Sequence, residues 1–425
     1  MMCYERVKLG EVATIRGGKR LPVGKDFTAT ETAHPYIRAR DIGGGKVEIH
    51  DPVFLDNGTA QKLARYTVNK GDVCLTIVGA NVGEMGLVPP HLDGANLTEN
   101  AVKIVTNGKA DQTFLKYALL GEDAMAQMKV LAGGAAQPKL GIYKIETIEF
   151  PCPPLPVQRR IAGILSAYDN LMENSQRRIK ILEEMARSLY REWFVNFRFP
   201  GHEKVPRVAS PLGDIPQGWE VKRLDEVCRS VQDGDWIETK DQGGNDYRLL
   251  QISNLGVGEF IETGNYRFVT QATFDGLRCT EIKPGDILVA RMPTPIGRAW
   301  LATAMPWRMI TAVDVAIVRA QTDVLNPLFL AQAWNEPFNL QRIAAQASGT
   351  TRLRITRREL AALEFVVPPI EIQLRFAKFV EPQMEMIQAL RLQIQNLRRT
   401  RDLLLPRLLS GHNELDGLVK SDRVS

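Results

Sequence analysis

The spacing of hydrophobic residues changes at two places along the chain, after Pro153-Pro154 and after Pro368-Pro369. Before each pair, short apolar and β-branched runs alternate with Gly, Pro, Asn and Asp, which is typical of strands joined by turns. Each set of predicted strands is followed by a stretch of helical character, near residues 112–131 and 328–347. After each Pro-Pro pair, apolar residues recur at intervals of three and four, which predicts a long amphipathic helix.

The same order of elements occurs twice because the sequence contains an internal repeat. Residues 150–160 have the pattern Phe-x-x-Pro-Pro-Leu-x-Val-Gln-x-Arg, and residues 365–375 have Phe-x-x-Pro-Pro-Ile-x-Ile-Gln-x-Arg. Residues 9–12, Leu-Gly-Glu-Val, match residues 224–227, Leu-Asp-Glu-Val, at the same offset of 215 residues. A repeat of half the chain is too large for a solenoid unit but large enough to bury its own core. We therefore predict a duplicated domain.

The two predicted long helices each carry an apolar seam with heptad spacing. The seam consists of Met172, Ile179, Leu182, Leu189 and Trp193 in the first helix and Ile387, Leu390, Ile394, Leu397, Leu404 and Leu408 in the second. Ser175 and Arg401 are the weak positions. Each stripe could pack on its own domain, but two equivalent stripes are buried most simply against each other. The Pro- and Gly-rich segment 200–218 lets the chain return, so we expect antiparallel helices of about 30 residues, roughly 45 Å long.

Composition indicates a soluble globular protein with more than one domain. The chain has 425 residues, of which 44% are hydrophobic and 24% charged. It contains no apolar run of about 18 residues, so we predict no membrane span. The five cysteines lie far apart, without zinc-ligand or redox spacing, which favours a reducing, cytoplasmic location.

The distribution of charge is more informative than the net charge of +5. Between Arg342 and Arg358 there are five arginines and no acidic residue. Such a cluster suits a surface that binds phosphates, because phosphate neutralisation supplies much of the affinity for nucleic acids. A solvated, arginine-rich face is the alternative interpretation.

Four motifs, taken in order, resemble the specificity subunit of type I restriction–modification enzymes. The two Pro-Pro motifs resemble the start of that family's spacer helices. Residues 213–224, Gly-Asp-Ile-Pro-Gln-Gly-Trp-Glu-Val-Lys-Arg-Leu, resemble the start of its second target-recognition domain, and residues 404–411, Leu-Leu-Pro-Arg-Leu-Leu-Ser-Gly, resemble its closing helix end. The resemblance covers nearly the whole chain. It departs at Val157 and Ile372, where the family usually has a glutamate at the helix start.

The resemblance implies an α+β fold with two tandem globular target-recognition domains separated by a pair of long antiparallel coiled-coil helices. The expected regions are the first target-recognition domain at 1–153, the central spacer helix region at 154–199, a linker at 200–218, the second target-recognition domain at 219–367, the C-terminal spacer helix region at 368–412 and a flexible tail at 413–425.

The resemblance also implies a function without catalysis. Each domain is expected to read one half of a bipartite, asymmetric site in double-stranded DNA through the major groove. The paired helices are expected to set the unread spacer and to bind two copies of an adenine methyltransferase subunit. ATP-dependent restriction subunits would convert this complex into a restriction enzyme.

Residues that could contact DNA occur at matched places in the two copies. Base readout needs directional donors and acceptors, and phosphate contacts need Lys, Arg or backbone N–H groups. The candidates are Lys19, Arg20, Arg38, Arg40, Asn81, Gln137 and Lys139 in the first copy and Gln251, Ser253, Asn254, Arg291, Arg298, Thr350, Thr351, Arg352, Arg354 and Arg357 in the second. A surface or structural role is the alternative for each. Asp41 and Asp286 are expected to support turns or neighbouring arginines.

The matched places differ in chemistry. Gln251 and Ser253 stand where the first copy has Arg38 and Arg40. Because arginine pairs with guanine and glutamine with adenine, this exchange suits two half-sites of different sequence.

Motifs for catalysis do not occur in the sequence. It has no glycine-rich cofactor loop with an Asp/Asn-Pro-Pro-aromatic motif, no phosphate-binding loop and no His-x-x-x-His pair. We therefore predict no catalytic residues, no cofactor and no bound metal. A modification enzyme with an unrecognised site, and a scaffold whose helices join two modules that do not bind DNA, are the alternatives.

Overall fold

A computed structural model describes residues 4–133, 138–349 and 352–410, and the chain divides into two compact units. Unit 1 comprises Met1–Gln176 and Arg391–Ser425, and unit 2 comprises Arg177–Leu390. Both contain strands and helices, so the α+β fold class predicted from the sequence is confirmed. The candidates Gln137, Thr350 and Thr351 and the tail 413–425 lie outside the described residues.

Unit 1 is built on a six-stranded sheet in the order β2-β9-β6-β7-β5-β4, with two smaller pairs, β3-β8 and β1-β10. Its strands are β1 (Arg6–Lys8), β2 (Ala13–Gly17), β3 (Tyr36–Ile37), β4 (Ile42–Gly43), β5 (Gly45–Val47), β6 (Val73–Thr76), β7 (Met85–Leu87), β8 (Asn96–Leu97), β9 (Ala101–Thr106) and β10 (Glu149–Pro151). Its shorter helices are α1 (Leu9–Val12), α2 (Asn57–Lys62), α3 (Gln112–Leu120), α4 (Glu122–Ala132) and α5 (Ile142–Ile145).

Unit 2 repeats this plan with a four-stranded sheet, β14-β20-β17-β18, a three-stranded sheet, β16-β15-β19, and the pairs β13-β21 and β11-β12. Its strands are β11 (Arg207–Val208), β12 (Ile215–Pro216), β13 (Glu220–Arg223), β14 (Cys228–Asp233), β15 (Tyr247–Leu250), β16 (Phe268–Val269), β17 (Ile287–Ala290), β18 (Ala299–Leu301), β19 (Arg308–Thr311), β20 (Val315–Ala320) and β21 (Glu364–Val367). Its shorter helices are α7 (Leu224–Val227), α8 (Gln271–Leu277), α9 (Pro327–Asn335), α10 (Pro337–Ala345) and α11 (Arg357–Ala361).

The helical stretch predicted within each copy is two helices rather than one. In unit 1 the break falls at Gly121, which has an extended backbone (ψ 146°) between α3 and α4. In unit 2 it falls at Glu336 (ψ 131°), between α9 and α10. Because Glu336 precedes Pro337, steric conflict with the proline ring disfavours a helical conformation there. The two copies thus interrupt the same stretch at the same place.

Two long helices supply segments to both units. Helix α6 (Leu155–Tyr190) has 36 residues and continues into a π-helical turn at Arg191–Val195, and helix α12 (Ile370–Leu409) has 40. Neither contains an 18-residue window apolar enough to cross a membrane, and the same holds for every other helix in the described ranges.

In unit 1, the beginning of α6 packs with the end of α12. Ile161 and Leu165 of α6 share one core with Leu408 and Leu409 of α12, which also includes buried residues of β6, β9 and α3. In unit 2, Phe376 of α12 lies 6.1 Å, between ring centroids, from both Tyr190 in the last turn of α6 and Trp193 in the π-helical turn after it. The start of α6 thus meets the end of α12, and the end of α6 meets the start of α12, which is the pairing of antiparallel helices.

The sequence-derived seam faces inward along both helices. Met172, Ile179, Trp193, Ile387, Leu390, Ile394 and Leu408 are buried, and Leu182, Leu189, Leu397 and Leu404 are partly buried. The segment 200–218 is folded rather than an open loop, because it forms the β11-β12 hairpin. Trp219, directly after it, packs against the rings of Phe194 and Phe199 at 5.8 and 5.2 Å.

A buried glutamine joins α6 to the core of unit 1. The Gln158 side chain is 1% exposed. Its Nε2 donates to the carbonyl of Pro153 at 2.7 Å, and its Oε1 accepts from the backbone N–H of Asp111 at 2.8 Å. The Asp111 carboxylate in turn accepts from two backbone N–H groups at the start of α3. One amide thus connects the Pro-Pro corner, the first turn of α6 and the start of α3.

The same arrangement recurs in unit 2, 215 residues later. Gln373 is fully buried, and its Oε1 accepts from the backbone N–H of Asn326 at 2.8 Å. Its Nε2 donates to the carbonyls of Pro368 at 2.7 Å and Val324 at 3.1 Å. Asn326 caps α9 as Asp111 caps α3. We call Gln158 and Gln373, with these partners, the glutamine clasps.

A second polar cluster holds the helices in unit 1. The Asp169 carboxylate of α6 accepts from Lys116 Nζ at 3.0 Å, Tyr117 Oη at 2.6 Å and Arg401 Nη1 of α12 at 2.7 Å. Burial acts to raise the pKa of Asp169, but Lys116, Tyr117 and Arg401 together hold it below its usual value. Burial lowers the pKa of Lys116 despite the carboxylate beside it. Arg401, a weak seam position in the sequence, is therefore the partner of a partly buried carboxylate.

The equivalent positions in unit 2 are mostly apolar. At the repeat offset, Lys116 corresponds to Ala331, Asp169 to Met384 and Arg401 to Ala186. Ala186 is fully buried, and Met384 packs against the same core. The two units therefore hold their helix pairs by different means, one ionic and one apolar.

Gln373→Leu is expected to lower the free energy of unfolding by about 2–4 kcal/mol, because buried backbone groups of Asn326, Val324 and Pro368 lose their partner. Chemical denaturation of the complete chain measures this. Gln393→Leu, at an exposed position of the same helix, is the control and should change stability by about 0.5 kcal/mol or less. If the two substitutions lowered the free energy of unfolding equally, the stabilising role of the clasp would be contradicted.

Asp169→Met is expected to destabilise the protein by about 3–5 kcal/mol, because it leaves a buried ammonium without its counter-ion. Combining it with Lys116→Ala, Tyr117→Phe and Arg401→Ala should restore stability to within about 2 kcal/mol, since no buried polar group is then orphaned. Denaturation curves at several pH values measure both effects. The folded pKa of Asp169 lies below its unfolded value of about 3.9, so the wild-type chain loses this contribution as the pH falls below about 4. A combined variant as unstable as Asp169→Met would rule the explanation out.

Candidate nucleic-acid interface

The loops of unit 1 that carry most candidates converge at one end of its sheet. Antiparallel pairing places the end of β2 and the end of β6 beside the start of β9, since Gly17 pairs with Val102 and Thr76 with Ala101. The backbone N–H of Lys19 donates to Leu97 at 2.9 Å. We call loops 18–20, 38–41, 77–84, 98–100 and 138–140 the loop edge of unit 1.

Most candidates on this edge are exposed. Lys19, Asn81 and Lys139 are exposed, and Lys139 is held there by a β-bridge to Val78. The side chain of Arg20 is 76% exposed, and its Nε lies 3.3 Å from Glu99 Oε1. These loops therefore present three cations and one amide to solvent, and Arg40 of loop 38–41 adds a fourth cation.

Arg38 and Arg40 belong to a tight turn. Arg38 is partly buried and donates to Asp41, whose carboxylate also accepts the backbone N–H of Arg38 at 2.8 Å. Arg40 is exposed, with its Nη2 2.6 Å from Asp51 Oδ2. Asp41 is thus a support for the turn and for Arg38, as the sequence favours.

Unit 2 has the equivalent loop edge. β14, β15, β17 and β19 end there, and the adjacent loops are bonded to each other. The backbone N–H of Asp235 donates to Thr311 at 2.8 Å, that of Arg291 to Asp314 at 3.0 Å, and that of Ile355 to Arg291 at 3.2 Å. The loop edge of unit 2 comprises loops 234–238, 251–254, 291–298, 312–314 and 352–355.

Four candidates of this edge reach solvent. Ser253 and Arg352 are exposed, and Gln251 and Arg354 are partly exposed. Arg354 Nη2 lies 3.1 Å from Asp314 Oδ1. Arg357, also exposed, begins α11.

Arg291, Arg298 and Asn254 are not surface groups. Arg291 is 5% exposed and donates to the carbonyl of Ile355 and to the Asp233 carboxylate. Arg298 is 9% exposed, and its guanidinium donates to four backbone carbonyls. Burial lowers the pKa of both guanidinium groups.

Asn254 is also buried. Its Oδ1 accepts the backbone N–H of Gln251 at 3.0 Å, which matches the bond between Asp41 and Arg38 in unit 1. The sequence placed these two arginines and this asparagine among groups that could contact DNA. In the folded unit all three have their polar atoms engaged in shaping loops.

Three of the solvent-accessible arginines are accompanied by acids. Arg20, Arg40 and Arg354 each have a carboxylate within salt-bridge distance. Exposed ion pairs contribute only about 0–1 kcal/mol. An incoming anion could therefore replace these carboxylates at small cost, and meanwhile the acids hold the arginines in defined positions.

Trp236 on the loop edge of unit 2 was missed by sequence reasoning. It is 70% exposed, and its indole Nε1 donates to Glu238 at 3.3 Å. The neighbouring Asp235 carboxylate accepts the backbone N–H of Thr280, and burial raises the pKa of Asp235 to about 6. The sequence signal is a glycine two residues before Trp236, at the place where unit 1 has Gly18 before Arg20.

Comparison with known proteins identifies the family. Residues 2–184 and 216–397 each match the family described as the type I restriction modification DNA specificity domain. The type I restriction enzyme MjaVIII specificity subunit of Methanocaldococcus jannaschii is 24% identical over 423 residues, covering 96% of this chain and 92% of that protein. The MjaIX specificity subunit of the same organism is 24% identical over 307 residues, covering 72% of this chain and 70% of that protein.

The fold has a counterpart among solved structures. The S subunit of a type I restriction-modification system from M. genitalium aligns with a TM-score of 0.58 at 15% identity, over 96% of each chain. This likeness supports the fold, and the two sequence matches together cover most of the chain. The chain therefore belongs to the family of specificity subunits of type I restriction–modification enzymes and carries two copies of their DNA specificity domain.

Proposed function

We propose that each loop edge reads one half of a bipartite, asymmetric site in double-stranded DNA. The observation that carries this proposal is that matched loops present different exposed groups. Unit 1 offers Lys19, Arg20, Arg40 and Lys139, whereas unit 2 offers mainly Ser253, Arg352 and the indole of Trp236. Two units with the same arrangement of loops but different exposed side chains suit two half-sites of different sequence.

We also propose that the long helices bind the adenine methyltransferase subunits, two per chain, and that ATP-dependent restriction subunits join this complex in the cytoplasm. Large apolar side chains that are 41–60% exposed lie on both helices. They are Leu171, Ile181 and Met185 on α6 and Leu374, Phe379, Met386, Leu392 and Leu403 on α12. Single exposed apolar residues are ordinary, but eight on two helices suit protein–protein contact. In this proposal the chain supplies recognition and assembly, and its partners supply catalysis.

Deleting this chain from cells that retain its partner methyltransferase is expected to abolish methylation at one bipartite adenine motif, because the methyltransferase would lose its sequence guide. Genome-wide mapping of adenine methylation, with and without the chain, measures this and reveals both half-sites. Copurification of chain and methyltransferase is the control for assembly. A methylation map that does not change with the chain, in cells where the complex assembles, would refute the proposal.

Phe379→Asp is expected to weaken methyltransferase binding by about 30-fold or more, as loss of a central aromatic contact costs about 2 kcal/mol. Phe379 is 58% exposed, and its ring makes a T-shaped contact with Trp193 at 6.0 Å between centroids. Titration calorimetry with the purified methyltransferase gives the dissociation constant. Lys378→Ala, at an adjacent exposed position, should leave binding within about twofold. Unchanged binding by Phe379→Asp would exclude this face of α12 from the interface.

A further inference from the structure

The two loop edges share the same pair of backbone hydrogen bonds. In unit 1 the N–H of Gly18 donates to Ala101 and that of Lys19 to Leu97, at 3.0 and 2.9 Å. In unit 2 the N–H of Gly234 donates to Val315 at 2.9 Å, and that of Asp235 donates to Thr311 at 2.8 Å. Each unit thus ties the residues after its first sheet strand to the neighbouring strands in the same way.

Glycine is required in both places by close packing. A Cβ atom on Gly18 would lie 2.1 Å from the carbonyl oxygen of Thr98. A Cβ atom on Gly234 would lie 2.3 Å from the carbonyl oxygen of Ala312. Because both obstacles are backbone atoms, they cannot move aside easily. Close packing therefore fixes the position of the backbone at this glycine in each unit, directly before the exposed part of the loop.

The side chain two residues after this glycine is exposed in both units. It is Arg20 in unit 1, with its side chain 76% exposed, and Trp236 in unit 2, 70% exposed. The two positions are 216 residues apart rather than 215, because β14 contains a bulge between Cys228 and Ser230. The single extra residue hid this equivalence from a comparison at constant offset.

The surroundings of Trp236 do not favour a phosphate. Loop 234–238 carries Asp235 and Glu238, and the one nearby lysine, Lys240, is bonded to Glu238 at 2.8 Å. Carboxylates repel phosphate oxygens, so the loop suits a position over bases in a groove rather than along the DNA backbone. An indole offers an apolar face and one N–H donor, which can pack on base edges such as the thymine methyl group.

We propose that the residue two positions after this glycine is a base-reading position in each unit, with Trp236 making an uncharged contact to one base pair of the second half-site and Arg20 a charged contact to one base of the first. This inference rests on the proposed function, because it assumes that the loop edges meet DNA. It specifies which side chains give the two halves their different chemistry.

The test uses the complete chain bound to its methyltransferase and duplex libraries in which either half-site is randomised. Trp236→Ala should weaken binding roughly 10- to 100-fold and remove the preference at one base pair of the second half only. Trp236→Phe should retain most of the preference. Arg20→Ala should remove a preference in the first half only. Because indole carries no charge, the salt dependence of binding should be the same for Trp236→Ala as for the wild type.

Outcomes that overturn the inference are distinct from failure of the proposed function. If the wild-type complex binds DNA with sequence preference and Trp236→Ala has the same affinity and preference, Trp236 is not a reader. If Trp236→Ala lost base preference in the first half-site, or changed the salt dependence of binding, a local uncharged contact would equally be excluded. If the wild-type complex itself shows no preference, the proposed function fails first. Equal thermal unfolding midpoints of the variants confirm that folding is unchanged.

Discussion

The glutamine clasps are the contacts on which the architecture of both units depends. In each unit the chain leaves a two-stranded antiparallel pair through Pro-Pro and must start a long helix in a fixed direction, and the proline corner leaves backbone carbonyls without helical partners. In each unit one buried amide bonds to such a carbonyl and to the capped start of a second helix. The family's usual glutamate beside this glutamine is Val157 or Ile372 here, and both of these apolar residues pack against the domain cores. Hydrogen bonds and apolar packing therefore anchor both helix starts, and only α12 has an acid, Glu371, in its first turn.

The helix pairs show how one scaffold accommodates two solutions. Unit 1 has a partly buried ionic cluster around Asp169, whereas unit 2 has buried alanines and a partly buried methionine at the equivalent places. A buried ion pair is weak support for stability but a strong constraint on which segments pair, because a wrong partner leaves a buried charge alone. In unit 1 the ion pairs thus specify which helix segments pack together, whereas in unit 2 the helix segments need only complementary shape.

Much of the architecture could be predicted from the sequence, because it is encoded in periodicity and repetition. The long helices, their seam and the duplicated domain all follow from apolar spacing and from the shared Pro-Pro-x-x-x-Gln pattern. The pairing of Arg401 with Asp169 could not be foreseen, since it depends on two residues far apart in sequence.

Predicting the candidate interface was harder, because a sequence does not distinguish an arginine that faces solvent from one that braces a loop. Arg291 and Arg298 are of the residue type expected to contact DNA, yet their guanidinium groups donate hydrogen bonds to backbone carbonyls inside unit 2. Trp236 escaped notice for the opposite reason, since a tryptophan is usually buried and the bulge in β14 shifted its alignment with Arg20. In each unit, strand register brings the loops that carry the remaining candidates to one edge of the sheet. Local sequence patterns do not reveal that register.

The discontinuous make-up of unit 1 has a consequence for biosynthesis. Its core includes Leu408 and Leu409, which the ribosome adds after all of unit 2 has been made. Domains commonly fold in the order in which they are synthesised. Here the segment synthesised first cannot complete its core until translation has passed Leu409, whereas every segment of unit 2 is available earlier. Vectorial synthesis thus favours closure of unit 2 first, and a nascent chain interrupted before its last helical turns would leave the core of unit 1 incomplete.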